Sequence, residues 1–169
     1  MSKFFKAFRK HWKIYTFLVV VVVAALVGVF SGSKKASPAD AQKYYLAEGA
    51  EACREAFLLA SPALDDAQKQ RIQDQINRIG PNNGPTPIRV MEQICTMTQK
   101  SKKLSGAKKD CLEEISRVVS ALGHLPVEQE AATTEAEKQE LKERFPLRFQ
   151  REKRNLEKAL KQSRELRSE

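Results

Sequence analysis

The longest apolar run of the chain lies near its amino terminus. Ile14 to Phe30 reads IYTFLVVVVVAALVGVF, seventeen residues without a charge. A core helix of a small soluble domain is usually amphipathic because one side meets water, whereas this run is apolar all round. Continued through Ser33, the segment spans ~30 Å as a helix, which matches the hydrocarbon thickness of a bilayer. We therefore predict a single transmembrane helix over residues 14–33.

The residues beside this segment predict its orientation. Three lysines follow it within twenty residues, and no acidic residue precedes it. Because cytoplasmic flanks carry the excess of Lys and Arg, residues 1–13 are predicted to stay in the cytoplasm and the rest of the chain to be exported. Trp12 and Tyr15 lie where interfacial aromatic side chains anchor a membrane helix. The basic residues of the cytoplasmic flank are Lys3, Lys6, Arg9, Lys10 and Lys13.

A cleaved secretory leader is the alternative for the same segment. Ser31, Gly32 and Ser33 supply the small residues of a cleavage site. The apolar region of such leaders usually runs for only ~7 to 15 residues, which is shorter than the run seen here. Lys34 and Lys35 also follow directly, as in a retained segment. We favour an uncleaved anchor followed by a short linker over residues 34–39.

Beyond the linker, apolar residues recur at helical spacing over residues 40–125. Ser61-Pro62 and Thr86-Pro87 both match the start of a helix, since Ser and Thr cap helices and proline suits the first helical position. The prolines and glycines of GPNNGPTP interrupt the pattern, KSKKLSGAKK is typical of the turn of a helical hairpin, and Gly123 is the expected end of the fourth helix. A small domain of four helices is predicted. Its four apolar stripes are Leu46, Ala50, Cys53, Phe57 and Ala60; Ile72, Ile76 and Ile79; Met91, Ile94, Cys95 and Thr98; and Cys111, Ile115, Val118 and Leu122.

Residues 126–169 differ from this domain in composition. They are rich in charge and predict a helical tail with a sparse apolar stripe, too irregular for a sustained coiled coil. One interpretation is a helix that only forms ion pairs with itself, such as Glu157 with Lys161. The other is a helix that docks on a partner protein through Phe145, Phe149, Leu156 and Leu160. With no alternating strand pattern after the anchor, the fold class is all-α.

The net charge of +9 is concentrated at the two ends of the chain. Residues 1–30 carry five basic groups and no acid, residues 31–136 are neutral overall, and residues 137–169 carry a surplus of four basic groups. Basic residues beside an apolar run suggest a membrane surface before they suggest nucleic acid.

Three cysteines follow the anchor, and an exported location favours disulfides. Cys95 and Cys111 lie ~14 and ~10 Å from the predicted hairpin turn along antiparallel helices, so a modest stagger would bring them together. Such a bridge would contribute ~3 kcal/mol in the chain-entropy model. Cys95–Cys111 is the first choice. A bridge from Cys53 to either partner, or no bridge at all, stays open.

The same residues offer little for catalysis or metal binding. Cys53, Cys95, Cys111 and His124 would be enough for a zinc site, but structural zinc sites use closely spaced ligand pairs and none occurs here. A thiol catalyst needs a partner base, and His124 alone is available in this part of the chain. We therefore expect no enzyme, no metal and no cofactor.

These patterns together predict an interaction protein of the bacterial envelope. An inner-membrane anchor would hold a small helical domain in the periplasm beside its partners, as in subunits of secretion or conjugation machines. Envelope membrane proteins and the lipid bilayer are the expected partners, a homo-oligomer is compatible, and nucleic acid is not expected. The alternatives are a periplasmic thiol-redox or other catalytic protein, and a cytosolic domain that binds lipid or nucleic acid.

Overall fold

All regular structure in the computed structural model of the chain is helical over the residues that it describes, 36–81 and 84–168. This confirms the all-α fold class for that part of the chain. The five helices there are α1 (Pro38–Ala60), α2 (Asp66–Asn77), α3 (Pro87–Thr98), α4 (Gly106–Ala131) and α5 (Glu135–Ser168), and a 3-10 turn at Ser61–Ala63 joins α1 to α2.

The predicted anchor over residues 14–33 lies outside the described residues, as do its basic flank and its interfacial aromatic residues. Among the helices that are described, none combines the length and the apolar character needed to cross a bilayer.

Local capping explains where the helices begin. Ser37 starts α1 through a reciprocal pair of hydrogen bonds with Asp40. Thr86 caps α3 with Pro87 at its first position, which confirms the start predicted there. The start predicted at Ser61-Pro62 is wrong, because those residues form only the 3-10 turn. Helix α2 begins after Asp65, whose carboxylate accepts from the Gln68 amide at 2.8 Å while Gln68 Oε1 accepts from the Asp65 amide at 3.0 Å.

Helix α1 is the centre of the bundle and contacts each of the other four helices. Its inner face is built largely from small side chains, so its neighbours approach closely. All five helices contribute to the largest fully buried side chains, which are Leu59, Ile72, Ile76, Val90, Met91, Ile94, Leu112, Ile115, Val118, Leu122, Leu125 and Leu156.

Two glycines lie where helices touch. A Cβ on Gly49 would lie 2.8 Å from the ring carbons of Pro87 at the start of α3. A Cβ on Gly123 would lie 2.7 Å from Ile88 Cδ1 and 3.0 Å from the ring of Tyr45. The Tyr45 hydroxyl in turn accepts a hydrogen bond from the Ile88 amide at 3.3 Å. These glycines therefore serve close packing of α1, α3 and α4.

The sequence predicted that the fourth helix would end at Gly123, but α4 does not end there. It continues through Pro126 to Ala131, so the predicted boundary between a domain ending at residue 125 and a separate tail falls inside a helix. Gly123 is a site of close packing here and not a helix end, and Pro126 is buried within the helix although it lacks an amide donor.

Helix α5 packs along both α4 and α1. Thirty-four residues long, it contains Pro146 and turns the predicted tail into a fifth element of the bundle. The residues from Ala36 onward accordingly form one compact unit.

Candidate functional site

The cysteines lie in separate environments, and all three are free thiols. The predicted Cys95–Cys111 disulfide is not formed. Cys95 Sγ lies 3.8 Å from the carbonyl oxygen of Leu112, whereas Cys111 Sγ lies 3.8 Å from the carbonyl oxygen of Ala159 in α5. The Cys95 thiol thus points from α3 to α4, whereas the Cys111 thiol points from α4 to α5. An antiparallel pair of helices can match two residues in height without directing their side chains toward each other.

Burial governs the acidity of these thiols. It raises the pKa of Cys53 to about 12 and also raises the pKa values of Cys95 and Cys111. Cys53 is fully buried, with its Sγ 3.4 Å from the Pro87 carbonyl oxygen. Because the thiolate is the reactive form, thiols held protonated in this way are poor nucleophiles at neutral pH.

A groove of about 310 Å³ runs between α3 and α4 beside Cys95. Its polar lining includes Glu92, Lys109, Glu113 and Ser116, but no histidine. Two carboxylates and an amine therefore lie beside Cys95, but burial raises the pKa of this thiol and favours its less reactive protonated form. No group of three or more His, Cys, Asp or Glu side chains suited to a metal ion occurs within residues 36–81 and 84–168.

The four residues predicted to dock on a partner are buried in the chain's own core. Phe145, Phe149, Leu156 and Leu160 are 3%, 5%, 1% and 6% exposed. Phe149 meets the ring of Tyr44 edge-on at 5.4 Å between ring centres. The stripe is therefore already occupied by α1 and α4, because the long α5 folds back onto the bundle and does not project from it. This corrects the predicted docking role.

A buried carboxylate fixes the other end of α5. Glu55 of α1 is 7% exposed. Arg164 Nε lies 3.4 Å from its Oε1, and Arg167 Nη2 lies 3.3 Å from its Oε2. Since a buried charge is costly without a partner, this pairing holds the last turns of α5 against α1.

The surfaces that remain exposed are strongly charged. The lysine turn, defined as residues 100–109 between α3 and α4, contains Lys100, Lys102, Lys103, Lys108 and Lys109 and no acid. No lysine of the turn forms an ion pair with another described residue. Leu104, 5% exposed, fixes the turn to the core.

The second charged surface is the acidic hairpin, defined as residues 127–143, where α4 ends and α5 begins. It contains six glutamates and two lysines. No side chain described in this stretch is buried, so the hairpin projects beyond the core. Arg148 forms a bidentate ion pair with Glu128 that joins the two helices at its base.

A groove of about 460 Å³ lies in the acidic hairpin. Its charged lining consists of Glu128, Glu137 and Glu140, and its apolar lining includes Ala131 and Leu141. Carboxylates above a small apolar floor suit the long aliphatic stem and terminal ammonium of a lysine. Sequence reasoning missed this groove, although the change from mixed charge to an excess of glutamate after residue 127 was a visible signal.

No protein-family model, curated protein or solved structure matches this chain.

Proposed function

We propose that this protein is a membrane-tethered interaction protein that presents a small helical domain on the periplasmic side of a bacterial inner membrane. The observation that carries the proposal is the uncharged apolar run from Ile14 to Phe30, preceded by five basic residues and no acid. A segment that is apolar all round is stable in lipid, and the positive flank favours retention of residues 1–13 in the cytoplasm.

The character of the helical domain supports a role in assembly over one in catalysis. Burial raises the pKa values of its three thiols, including that of Cys95 beside the groove, and so favours their poorly nucleophilic protonated form. What the domain offers to solvent is two oppositely charged surfaces, the lysine turn and the acidic hairpin. Charged surfaces of this kind steer encounter with complementary partners, and tethering confines the search to a thin layer beside the membrane. Envelope membrane proteins are the partners that such a layer contains.

A pair of reporters fused after Glu169 tests the topology. We expect a reporter that is active only in the periplasm to function and one that is active only in the cytoplasm to fail. The chain should also stay with membranes after alkaline extraction. A chain released from membranes, or a reporter active in the cytoplasm, would contradict the proposal and favour the cytosolic alternative.

A matched pair of variants separates membrane insertion from folding. Val21→Lys together with Val23→Lys places two charges at the centre of the run, each costing roughly 3 kcal/mol for insertion. We expect this variant to leave the membrane fraction. Lys43→Glu with Arg154→Glu changes two exposed charges in the helical domain and should leave the membrane fraction unchanged.

A further inference from the structure

Buried polar side chains are concentrated where α5 packs on the rest of the bundle. Among the described residues, four polar or charged side chains are buried, and three of them lie at this contact. Glu152 and Ser163 belong to the buried side of α5, and Glu55 of α1 forms its ion pairs with arginines of α5. The fourth, Thr98, is satisfied within α3, where its hydroxyl donates to a carbonyl oxygen at 2.8 Å.

Packing of α5 removes water from these groups without replacing every hydrogen bond. The hydroxyl of Ser163, which is fully buried, has no hydrogen-bond partner in the part of the chain that the structure describes. The carboxylate of Glu152 is 4% exposed and accepts hydrogen bonds from Arg151 at 2.9 Å and Asn155 at 3.0 Å. Both donors lie on α5 itself, so these bonds persist when α5 leaves. Because desolvation of polar groups is costly, α5 binds less tightly than its apolar contacts alone would allow.

The polar contacts that do join α5 to its neighbours are partly exposed to water. Arg148, Arg164 and Arg167 form ion pairs with α4 or α1, and their side chains are 34–56% exposed. Salt screens ion pairs of this kind. The start of α5, residues 135–144, contributes no buried side chain and follows a connection of three residues from α4. The first turns of α5 are therefore free to pivot at that connection.

Helices α1 to α4 have a core of their own. Ile72 and Ile76 of α2 and Val90 and Ile94 of α3 are at most 1% exposed. These two helices pack against α1 and against each other, and α3 also packs against α4. Those contacts remain when α5 is removed.

We propose that α5 is a strap that detaches from the bundle as a unit while α1 to α4 stay folded. Proteins commonly open in this way, with a weakly held element leaving a more stable core. Opening exposes the apolar stripe that lies between Phe145 and Leu160. It also uncovers Cys111, which is 1% exposed and whose Sγ lies 3.8 Å from the Ala159 carbonyl oxygen of α5. The strap is a property of the helical domain and does not depend on where the domain resides.

Two cysteines of the chain serve as probes of this opening. Cys111 lies beneath α5, whereas the fully buried Cys53 lies between α1 and α3, with its Sγ 3.4 Å from the Pro87 carbonyl oxygen. Alkylation of the full chain by iodoacetamide in mild detergent, followed by peptide mass spectrometry, gives a rate for each thiol. The rate of the same thiol in the urea-unfolded chain, divided by this rate, is its protection. Repeating the measurement at low urea concentrations reports the surface exposed on opening.

We expect Cys111 to be at least ~10-fold less protected than Cys53, because opening of the strap requires less free energy than global unfolding. The protection of Cys111 should fall with urea, since detachment of a long helix exposes much surface. It should also fall between ~0.05 M and ~0.5 M salt, which screens the ion pairs of the strap.

Variants at the contact should move the opening in opposite directions. Arg164→Ala with Arg167→Ala should lower the protection of Cys111 by roughly 30-fold, and Ser163→Ala should raise it by roughly 5-fold. Neither should change the protection of Cys53 to the same extent.

A matched control keeps the change in net charge but leaves the contact intact. Arg54→Ala with Lys69→Ala removes two basic residues whose ion pairs lie within α1 and within α2. This variant should protect both thiols as the unmodified chain does. Far-UV circular dichroism of each variant confirms that the helices are formed.

Three results would overturn the inference. Equal protection and equal urea dependence of Cys111 and Cys53 would mean that α5 leaves only when the whole domain unfolds. Protection of Cys111 that is independent of urea would mean that a small local movement exposes the thiol without detachment of the helix. An equal fall in the protection of both thiols in the double arginine variant would mean that the arginines stabilise the bundle as a whole.

Discussion

Replacement of Gly123 by alanine tests how closely α1, α3 and α4 are packed. In an exposed helix interior this change would stabilise the protein by ~1 kcal/mol, because alanine is the better helix former. At this position the new Cβ would lie 2.7 Å from Ile88 Cδ1 and 3.0 Å from Cε2 and Cζ of Tyr45. The Ile88 methyl can rotate away, but the Tyr45 ring is 4% exposed and its hydroxyl is held by the Ile88 amide.

The expected net effect follows from these two opposing contributions. Forcing an extra methyl group into a packed core costs ~1 to 3 kcal/mol. After subtraction of the helix-propensity gain, Gly123→Ala should lower the free energy of unfolding by ~1 kcal/mol, with an upper bound of ~2 kcal/mol. That corresponds to a fall of a few °C in the melting temperature of a domain of this size.

Urea unfolding of the full chain, followed by far-UV circular dichroism, measures this difference. Gly106→Ala is the matched control, because a Cβ there meets no atom of the described residues within 4 Å and should leave stability unchanged or raise it. Adding Ile88→Val to Gly123→Ala removes the nearest methyl and should recover part of the loss. If Gly123→Ala instead stabilises the chain by the full propensity gain, the three helices are not packed as described.

Three further predictions concern buried polar groups. Arg164→Ala with Arg167→Ala leaves the Glu55 carboxylate unpaired and should lower the free energy of unfolding in urea by ~2 kcal/mol. This loss is smaller than for a fully buried pair because both arginines are partly exposed. Glu55→Gln should cost less, and equal losses in the two variants would refute the role of the unpaired charge. Ser163 is fully buried and its hydroxyl has no hydrogen-bond partner within residues 36–81 and 84–168, so Ser163→Ala should raise the free energy of unfolding by ~1 kcal/mol; a loss would reveal a partner for the hydroxyl. Burial raises the pKa of Cys53 from 9.0 to about 12, so between those pH values the unfolded chain loses a proton that the folded chain keeps. Over that range the thiol should lower stability by about 1.4 kcal/mol per pH unit. Tyr44, Tyr45, Cys95 and Cys111 also have raised pKa values and contribute to the total slope. Cys53→Ala should therefore reduce the slope measured by pH-dependent urea unfolding without abolishing it, and an unchanged slope would show that the Cys53 thiol does not contribute.

Much of the helical framework could be read from local signals. Helix α3 begins at Thr86-Pro87 because a capping side chain and a fixed proline φ angle act within one turn. The turn around Leu104 likewise follows from a break between two amphipathic stretches. The helix start predicted at Ser61-Pro62 was wrong because two possible capping residues lie close together there. Asp65 is the one that caps α2, through reciprocal hydrogen bonds with Gln68.

The candidate site was less accessible to sequence reasoning. The stripe of Phe145 and Phe149 was correctly identified as apolar, but periodicity does not tell whether such a face meets a partner or the rest of its own chain. The pairing of Cys95 with Cys111 failed for a related reason, since distance from a turn gives the height of a residue on a helix and not the neighbour that its side chain faces.

The sequence by itself determined that the chain beyond residue 35 is helical, where most of its helices begin, and that an uncharged apolar run precedes it. These properties follow from interactions between residues a few positions apart. Only the tertiary structure decided that α5 completes the bundle, that Gly123 lies at a helix contact, and that glutamates from the end of α4 and the start of α5 share one groove. Those outcomes depend on which surfaces meet across long stretches of chain, where burial of apolar area and exclusion of unpaired charge select one packing among several.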